Sequence, residues 1–193
     1  MIDWIGNLHP LNLAAIVYRP DDDVDALLAA FADDLMQKGH RLGGIVQRNI
    51  RSEHGRRERM DVIDLMTGNA LRICQNLGTG AAACKLNAGA LAEAAMAVTR
   101  AVAANVELVV VNKFSKQEAT GRGLRAEVAE AVAVGQPLLI AVRGDCWSTW
   151  MDFTGGFGTK LACERRTIDG WWQERSMVSG SYPPHFMMAG LVF

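Results

Sequence analysis

The chain has 193 residues, half of them apolar, and a formal net charge of −1. That length suits one domain able to bury a real core, while the near-neutral charge excludes the basic face that bulk nucleic-acid binding requires. No apolar run approaches the roughly 18–20 residues that cross a bilayer, so nucleic acid and membrane both drop out as partners.

Leu13 to Tyr18 reads as a first strand. Val24 to Lys38 repeats apolar residues at helical spacing until Gly39 stops it, and Leu42 to Gln47 supplies a second strand. A β-α-β opening of this kind implies parallel strands and a right-handed crossover. The charged run Arg48 to Arg59 interrupts the rhythm, as an anion clamp or as a solvated loop. After it, MDVIDLM and ALRICQ flank the turn Thr67-Gly68-Asn69 and read as an antiparallel hairpin.

The stretch LGTGAAACKLNAG follows, where Gly78 to Gly80 ahead of Lys85 is either an anion cradle or a flexible connection. Asn87 is placed to cap a helix from Ala88 to about Ala104. Val109, Val110 and Val111 then mark a buried central parallel strand over Glu107 to Asn112. A helix from about Arg122 to Val134, a strand over Pro137 to Val142 and a short helix capped by Asp145 complete the pattern. Beyond Gly158 it weakens; WWQER has helical character, and GSYPPHFMMAGLVF reads as a docking tail.

Cys74, Cys84, Cys146 and Cys163 form no CxxC pair, and MIDWIGNLHPLN has no signal-peptide pattern. The expectation is reduced thiols in a cytoplasmic protein. His9, His40, His54 and His185 lack i, i+4 partners, so no preformed metal site is expected.

In open parallel sheets, ligands sit outside the carboxyl ends of the strands. That rule gathers Arg19 to Asp23, Gln47 to Asn49, Asn112 to Lys116 and Arg143 on one crevice. The central strand ends in Asn112 and Lys113, where a nucleotide hydrolase would carry carboxylates for Mg²⁺. RPDDD also follows the first strand in place of GxxxxGK[ST], with Asp21 to Asp23 as caps or as charges hostile to a triphosphate. GRGLRA from Gly121 spells a dinucleotide fingerprint but begins ten positions beyond Val111, too late for that role. A helix start carrying Arg122 and Arg125 attracts anions, although Arg125 has Glu118 and Glu130 as alternative partners. The candidate ligand-binding set is Asn112, Lys113, Lys116, Arg122, Arg125, Gln47, Arg48 and Arg143. No nucleophile–base pair is legible, so no catalytic residue is assigned.

The blocks GGIVQR, DLMTG, ICQNLG, CKLNAGAL, NKFSKQEATGRGLR and Trp150 to Gly156, in that order, resemble an uncharacterised bacterial domain family whose members are often encoded near molybdate transport genes. The element order also resembles the nucleoside-triphosphatase family related to cancer-related NTPase, without its P-loop or its acidic strand end. These resemblances imply an α/β fold: a three-layer, mostly parallel sheet of P-loop-NTPase-like topology with an inserted β-hairpin. They imply a degenerate NTPase that binds a small oxyanion, favouring molybdate or a related metal oxyanion, for storage, buffering or delivery; a nucleotide-binding or NTP-hydrolysing protein with an altered phosphate loop is the alternative. Residues 1–12 read as an extension, 13–160 as the α/β domain and 161–193 as a tail docked on the domain or on a neighbouring subunit of a homo-oligomer.

Overall fold

Leu108 to Val111 and Phe114 are fully buried, because the strand that holds them is covered on both faces. In the computed structural model, which describes residues 9–51, 57–75 and 85–180, that strand is the centre of a seven-stranded sheet. The chain runs through β1 (Leu13–Tyr18), α1 (Val24–Gln37), β2 (Leu42–Arg51), β3 (Arg57–Asp64) and β4 (Ala70–Arg72), then a small ribbon of β5 (Cys74–Gln75) and β6 (Lys85–Leu86). It continues through α2 (Ala88–Ala103), β7 (Leu108–Phe114), α3 (Lys116–Ala119), α4 (Arg125–Ala133), β8 (Leu138–Arg143), α5 (Trp147–Thr154), β9 (Thr159–Ala162) and α6 (Arg165–Gly180).

The sheet order is β4-β3-β2-β7-β8-β1-β9. β2, β7, β8, β1 and β9 are parallel, whereas β3 and β4 are antiparallel additions at one edge. One apolar cluster packs α2, α4 and α5 on one face of the sheet, and a second packs α1 and α6 on the other. The three-layer, mostly parallel architecture with its hairpin insertion is thus the one the sequence implied.

Two glycines set the spacing around β2. A methyl group at Gly43 would collide with Cβ of Ala101, so the alanine-rich face of α2 lies directly on the strand. Gly44 has φ +87°, and a methyl group there would run into the carbonyl of Val110 on β7. The turn after β3 is held by Asp64, whose carboxylate accepts from Met66 N–H at 2.9 Å, Thr67 Oγ1 at 2.8 Å and Arg100 Nη2 of α2 at 2.7 Å. Burial alone would raise this carboxyl, but those three donors outweigh it and hold the group below the ordinary carboxylate range.

Several boundaries differ from the sequence reading for identifiable reasons. β2 extends to Arg51 and β3 begins at Arg57, so most of the charged run pairs as strand, Arg48 opposite Asp61 and Asn49 opposite Met60. It lacks apolar alternation because it lies at the sheet's hairpin edge. α4 starts at Arg125, after Leu124, and not at Arg122. Cys146, not Asp145, precedes α5, because Asp145 pairs with Arg143 Nε at 3.0 Å. Past Gly158, β9 adds to β1, and α6 buries Ile168, Trp171 and Trp172 against the same domain. Trp171 Nε1 also donates to the Leu11 carbonyl at 3.0 Å. The docking segment 181–193 lies outside the described residues.

Gly44→Ala should lower stability by about 2 kcal/mol or more, since it adds a left-handed residue and a backbone overlap. Gly170→Ala, in α6 with open space around it, should raise stability by about 0.5–1 kcal/mol. Urea titration of both variants checks the contrast. Asp64 supplies a pH test. Its folded pKa lies below the unfolded value of about 3.9, so its stabilisation is complete above that value and fades as the pH falls through the folded pKa. The stability gap between wild type and Asp64→Asn should therefore be wide at neutral pH and shrink on acidification below about pH 4. A gap that stays constant on acidification contradicts this role.

Candidate functional site

The loop between β1 and α1 is closed on itself. Arg19 N–H donates to Asp22 Oδ2 at 2.7 Å, Asp22 N–H donates to the Arg19 carbonyl at 3.1 Å, and Asp23 Oδ1 caps α1 by accepting from Ala26 N–H at 3.2 Å. Asp23 therefore caps α1, and Asp22 closes the loop before it.

The next acidic residue has a different environment. Asp25 is buried in the first turn of α1 and accepts three side-chain donors: Gln47 Nε2 at 2.8 Å, Asn49 Nδ2 at 2.6 Å and Lys113 Nζ at 2.9 Å. One carboxylate thus ties together the carboxyl-terminal parts of β2 and β7 and the start of α1. The Lys113 ammonium also lies 5.4 Å from the centre of the Tyr18 ring, within cation–π range. Burial first, and then the charge of Asp25, push the Tyr18 phenol far up, so it remains a protonated donor.

Beside this network is a cavity of about 320 Å³. Tyr18, Gln47, Asn112, Lys113, Ser115, Gln117, Arg143 and the acidic Glu118 are its polar lining, and Ile45, Val62, Ile73, Leu91 and Ala94 are part of its apolar lining. Asn112 is 5 % exposed, and neither its Oδ1 nor its Nδ2 has a hydrogen-bond partner among the described residues. Leaving such a group unpaired costs about 1–3 kcal/mol.

Glu118 also lines the cavity. Its buried carboxylate accepts from Ser115 N–H at 2.9 Å, Ser115 Oγ at 3.3 Å and Leu124 N–H at 3.3 Å. Gly123, at φ +62°, has no room for a side chain because Glu118 Oε1 occupies that space. The GRG sequence lets the chain pass close over Glu118.

Four of the eight residues singled out from sequence meet at the cavity: Gln47, Asn112, Lys113 and Arg143. The other four lie elsewhere. Arg48 Nη2 contacts both carboxylate oxygens of Asp33 at 2.9 and 2.8 Å. Lys116 and Arg122 are exposed. Arg125 donates to the Glu118 carbonyl at 3.0 Å and lies 4.3 Å from the centre of the Phe153 ring. Residues 76–84, with most of the glycine-rich candidate cradle, lie outside the described residues. Asp25 and the apolar wall were not singled out, although Asp25 stands on the buried stripe of α1 with Leu28, Ala32 and Leu35. An acidic residue on an apolar stripe was the available signal.

Cys146 and Cys163 are free thiols. Burial, then the charges of Asp22, Asp23 and Asp25, push Cys163 up to about 11, so it stays protonated at neutral pH. Among the described residues there is no group of three or more His, Cys, Asp or Glu able to hold a metal, and no helix long and apolar enough to cross a membrane.

Residues 13–171 match the model of a family described as Protein of unknown function (DUF2478). The chain belongs to this family. It is also 56% identical over 171 residues to Molybdenum import ATP-binding protein ModC 2 of Bradyrhizobium diazoefficiens, a match covering 89% of this chain and 19% of that protein. The chain therefore spans about a fifth of the length of that curated relative. Its fold is similar to the solution structure of a human cancer-related nucleoside triphosphatase, with TM-score 0.61 and 12% identity over 89% of this chain and 99% of that one. It is equally similar to the crystal structure of THEP1 from the hyperthermophile Aquifex aeolicus, with TM-score 0.61 and 12% identity over 85% of this chain and 98% of that one. The NTPase-like fold is thereby established.

Breaking a mostly buried ion pair from one side leaves the other charge uncompensated. Asp25→Ala should destabilise the family member by about 2–4 kcal/mol, and a double-mutant cycle with Lys113→Ala should give a coupling between about 0.5 and 3 kcal/mol. Additive effects would show that the pair does not hold the two elements together.

Proposed function

We propose that the strand-end cavity binds a small oxyanion, with molybdate or a related metal oxyanion as the favoured ligand, for storage, buffering or delivery. The observation that carries this reading is the buried, unpartnered Asn112 carboxamide, which lines one cavity with Lys113 and Arg143. An oxyanion there would receive charge-assisted hydrogen bonds from both cations and a further one from Asn112 Nδ2. The name of the curated relative supplies the preference for molybdenum.

The local charge balance favours a compact anion over a triphosphate. Lys113 already faces Asp25, and Arg143 faces Asp145. A small anion can take further donors of the ammonium and guanidinium while Asp25 keeps Gln47 and Asn49. A triphosphate would bring more negative charge beside Asp25 without the glycine-rich amide cradle and lysine of a phosphate loop. ATP binding by the longer relative is assigned, on this reading, to parts of that protein beyond the matched fifth.

The test is a thermal-shift series with molybdate, tungstate, sulfate, phosphate and Mg-ATP, in protein purified without phosphate. A ligand at 100 times its Kd stabilises by about 2.7 kcal/mol, or roughly 5–10 °C for a domain of this size. Molybdate and tungstate should raise Tm in wild type and in Lys116→Ala, but not in Lys113→Ala. Stabilisation by Mg-ATP alone, or an unchanged molybdate response in Lys113→Ala, would overturn the proposal.

A further inference from the structure

We infer that the same cavity accommodates an organic anion: a flat heteroaromatic ring that presents a hydrogen-bond donor and acceptor side by side on one edge and carries the anionic group away from that edge. This rests on the reading that Lys113 and Arg143 receive an oxyanion, and it adds a second ligand class for that site, an anionic group carried on a ring.

Three features carry the inference. The first is size: about 320 Å³ falls in the range of organic-ligand sites, roughly 300–1,000 Å³. A bare tetrahedral oxyanion would fill only part of it. The second is the wall formed by Ile45, Val62, Ile73, Leu91 and Ala94, which offers nothing to a naked anion but matches the face of a ring. Apolar walls with a few convergent polar groups are the usual form of such sites.

The third feature is the Asn112 side chain. Its carboxamide carries a donor, Nδ2, beside an acceptor, Oδ1, and both are buried and unpaired among the described residues. A spherical anion could use only the donor and would leave Oδ1 orphaned. A ring edge with an N–H beside a carbonyl, or an amino group beside a ring nitrogen, pairs with both at once, and bidentate pairing of this kind discriminates by about 5- to 150-fold. Neighbouring donors do not already occupy the amide. Gln47 is turned to Asp25 and Asn49, and Ser115 to Glu118. The cations stand on the polar side, where an acidic substituent of the ring would reach them.

The experiment uses the intact chain and four probes: pterin-6-carboxylate and guanosine monophosphate, which have the polar edge and an anion; naphthalene-2-carboxylate, a flat anion without the edge; and molybdate. Calorimetry should show at least one polar-edged anion binding about 5- to 150-fold more tightly than the naphthoate and competing with molybdate. Asn112→Leu should remove that advantage, bringing the ratio of polar-edged-anion affinity to naphthoate affinity close to one. Its Tm should equal or exceed that of wild type, because the substitution removes a buried unpaired amide at similar volume. If the leucine variant does not fold, Asn112→Ala makes the same binding comparison. Molybdate binding that depends on Lys113, with neither polar-edged probe exceeding the naphthoate, overturns this inference and leaves the oxyanion reading intact. No binding by any anionic probe overturns both.

Discussion

The carboxylate of Asp25 sets the conditions for the rest of the site. Its contacts with Gln47, Asn49 and Lys113 join the first turn of α1 to the ends of β2 and β7. Lys113 is a long, flexible cation, and without this partner it would keep only its contact with the Tyr18 ring. Held by Asp25 and lying against the Tyr18 ring, it becomes a fixed positive charge in the lining of a partly apolar cavity. The same contact limits the total charge, because a cation already facing one carboxylate discriminates against a heavily charged ligand.

The contrast with a nucleotide hydrolase follows from a few residues on the same frame. The fold resembles nucleoside triphosphatases at 12% identity, which establishes topology and leaves chemistry to the site. Where a phosphate loop would expose backbone amides to a ligand, Asp22 and Asp23 accept those of Arg19 and Ala26. Where an acidic pair would hold a metal, the chain has Asn112 and Lys113. Tyr18, whose phenol is kept protonated by burial and by Asp25, adds a neutral donor. With Gln47, Asn112, Lys113 and Arg143 it lines the cavity on which the oxyanion-binding proposal rests.

How much of this the sequence shows depends on the range of the interactions. The buried valines of β7, the Asn87 cap of α2 and the Thr67-Gly68-Asn69 turn are local signals, and each appears where periodicity and capping place it. Gln47, Asn112, Lys113 and Arg143 were legible because strand ends in a parallel sheet converge by topology alone. Arg48, Lys116, Arg122 and Arg125 share the charge but are not among the residues that line the cavity, and side-chain direction at a strand edge or a helix start cannot be read from charge. Asp25 was obscured by the neighbouring Asp21, Asp22 and Asp23, of which Asp23 has the ordinary role of capping. The apolar wall is assembled from β2, β3, α2 and the segment after β4, so only the three-dimensional arrangement brings it together. β9 was missed because a four-residue edge strand carries little pattern.

Anomalous diffraction from crystals soaked in molybdate, recorded across the molybdenum edge, tests the binding proposal most directly. A peak inside the cavity, within hydrogen-bond distance of Lys113 Nζ and absent from crystals of Lys113→Ala, is the predicted result. A peak only at surface cations such as Lys116 or Arg122, or the same peak in the variant, would contradict it.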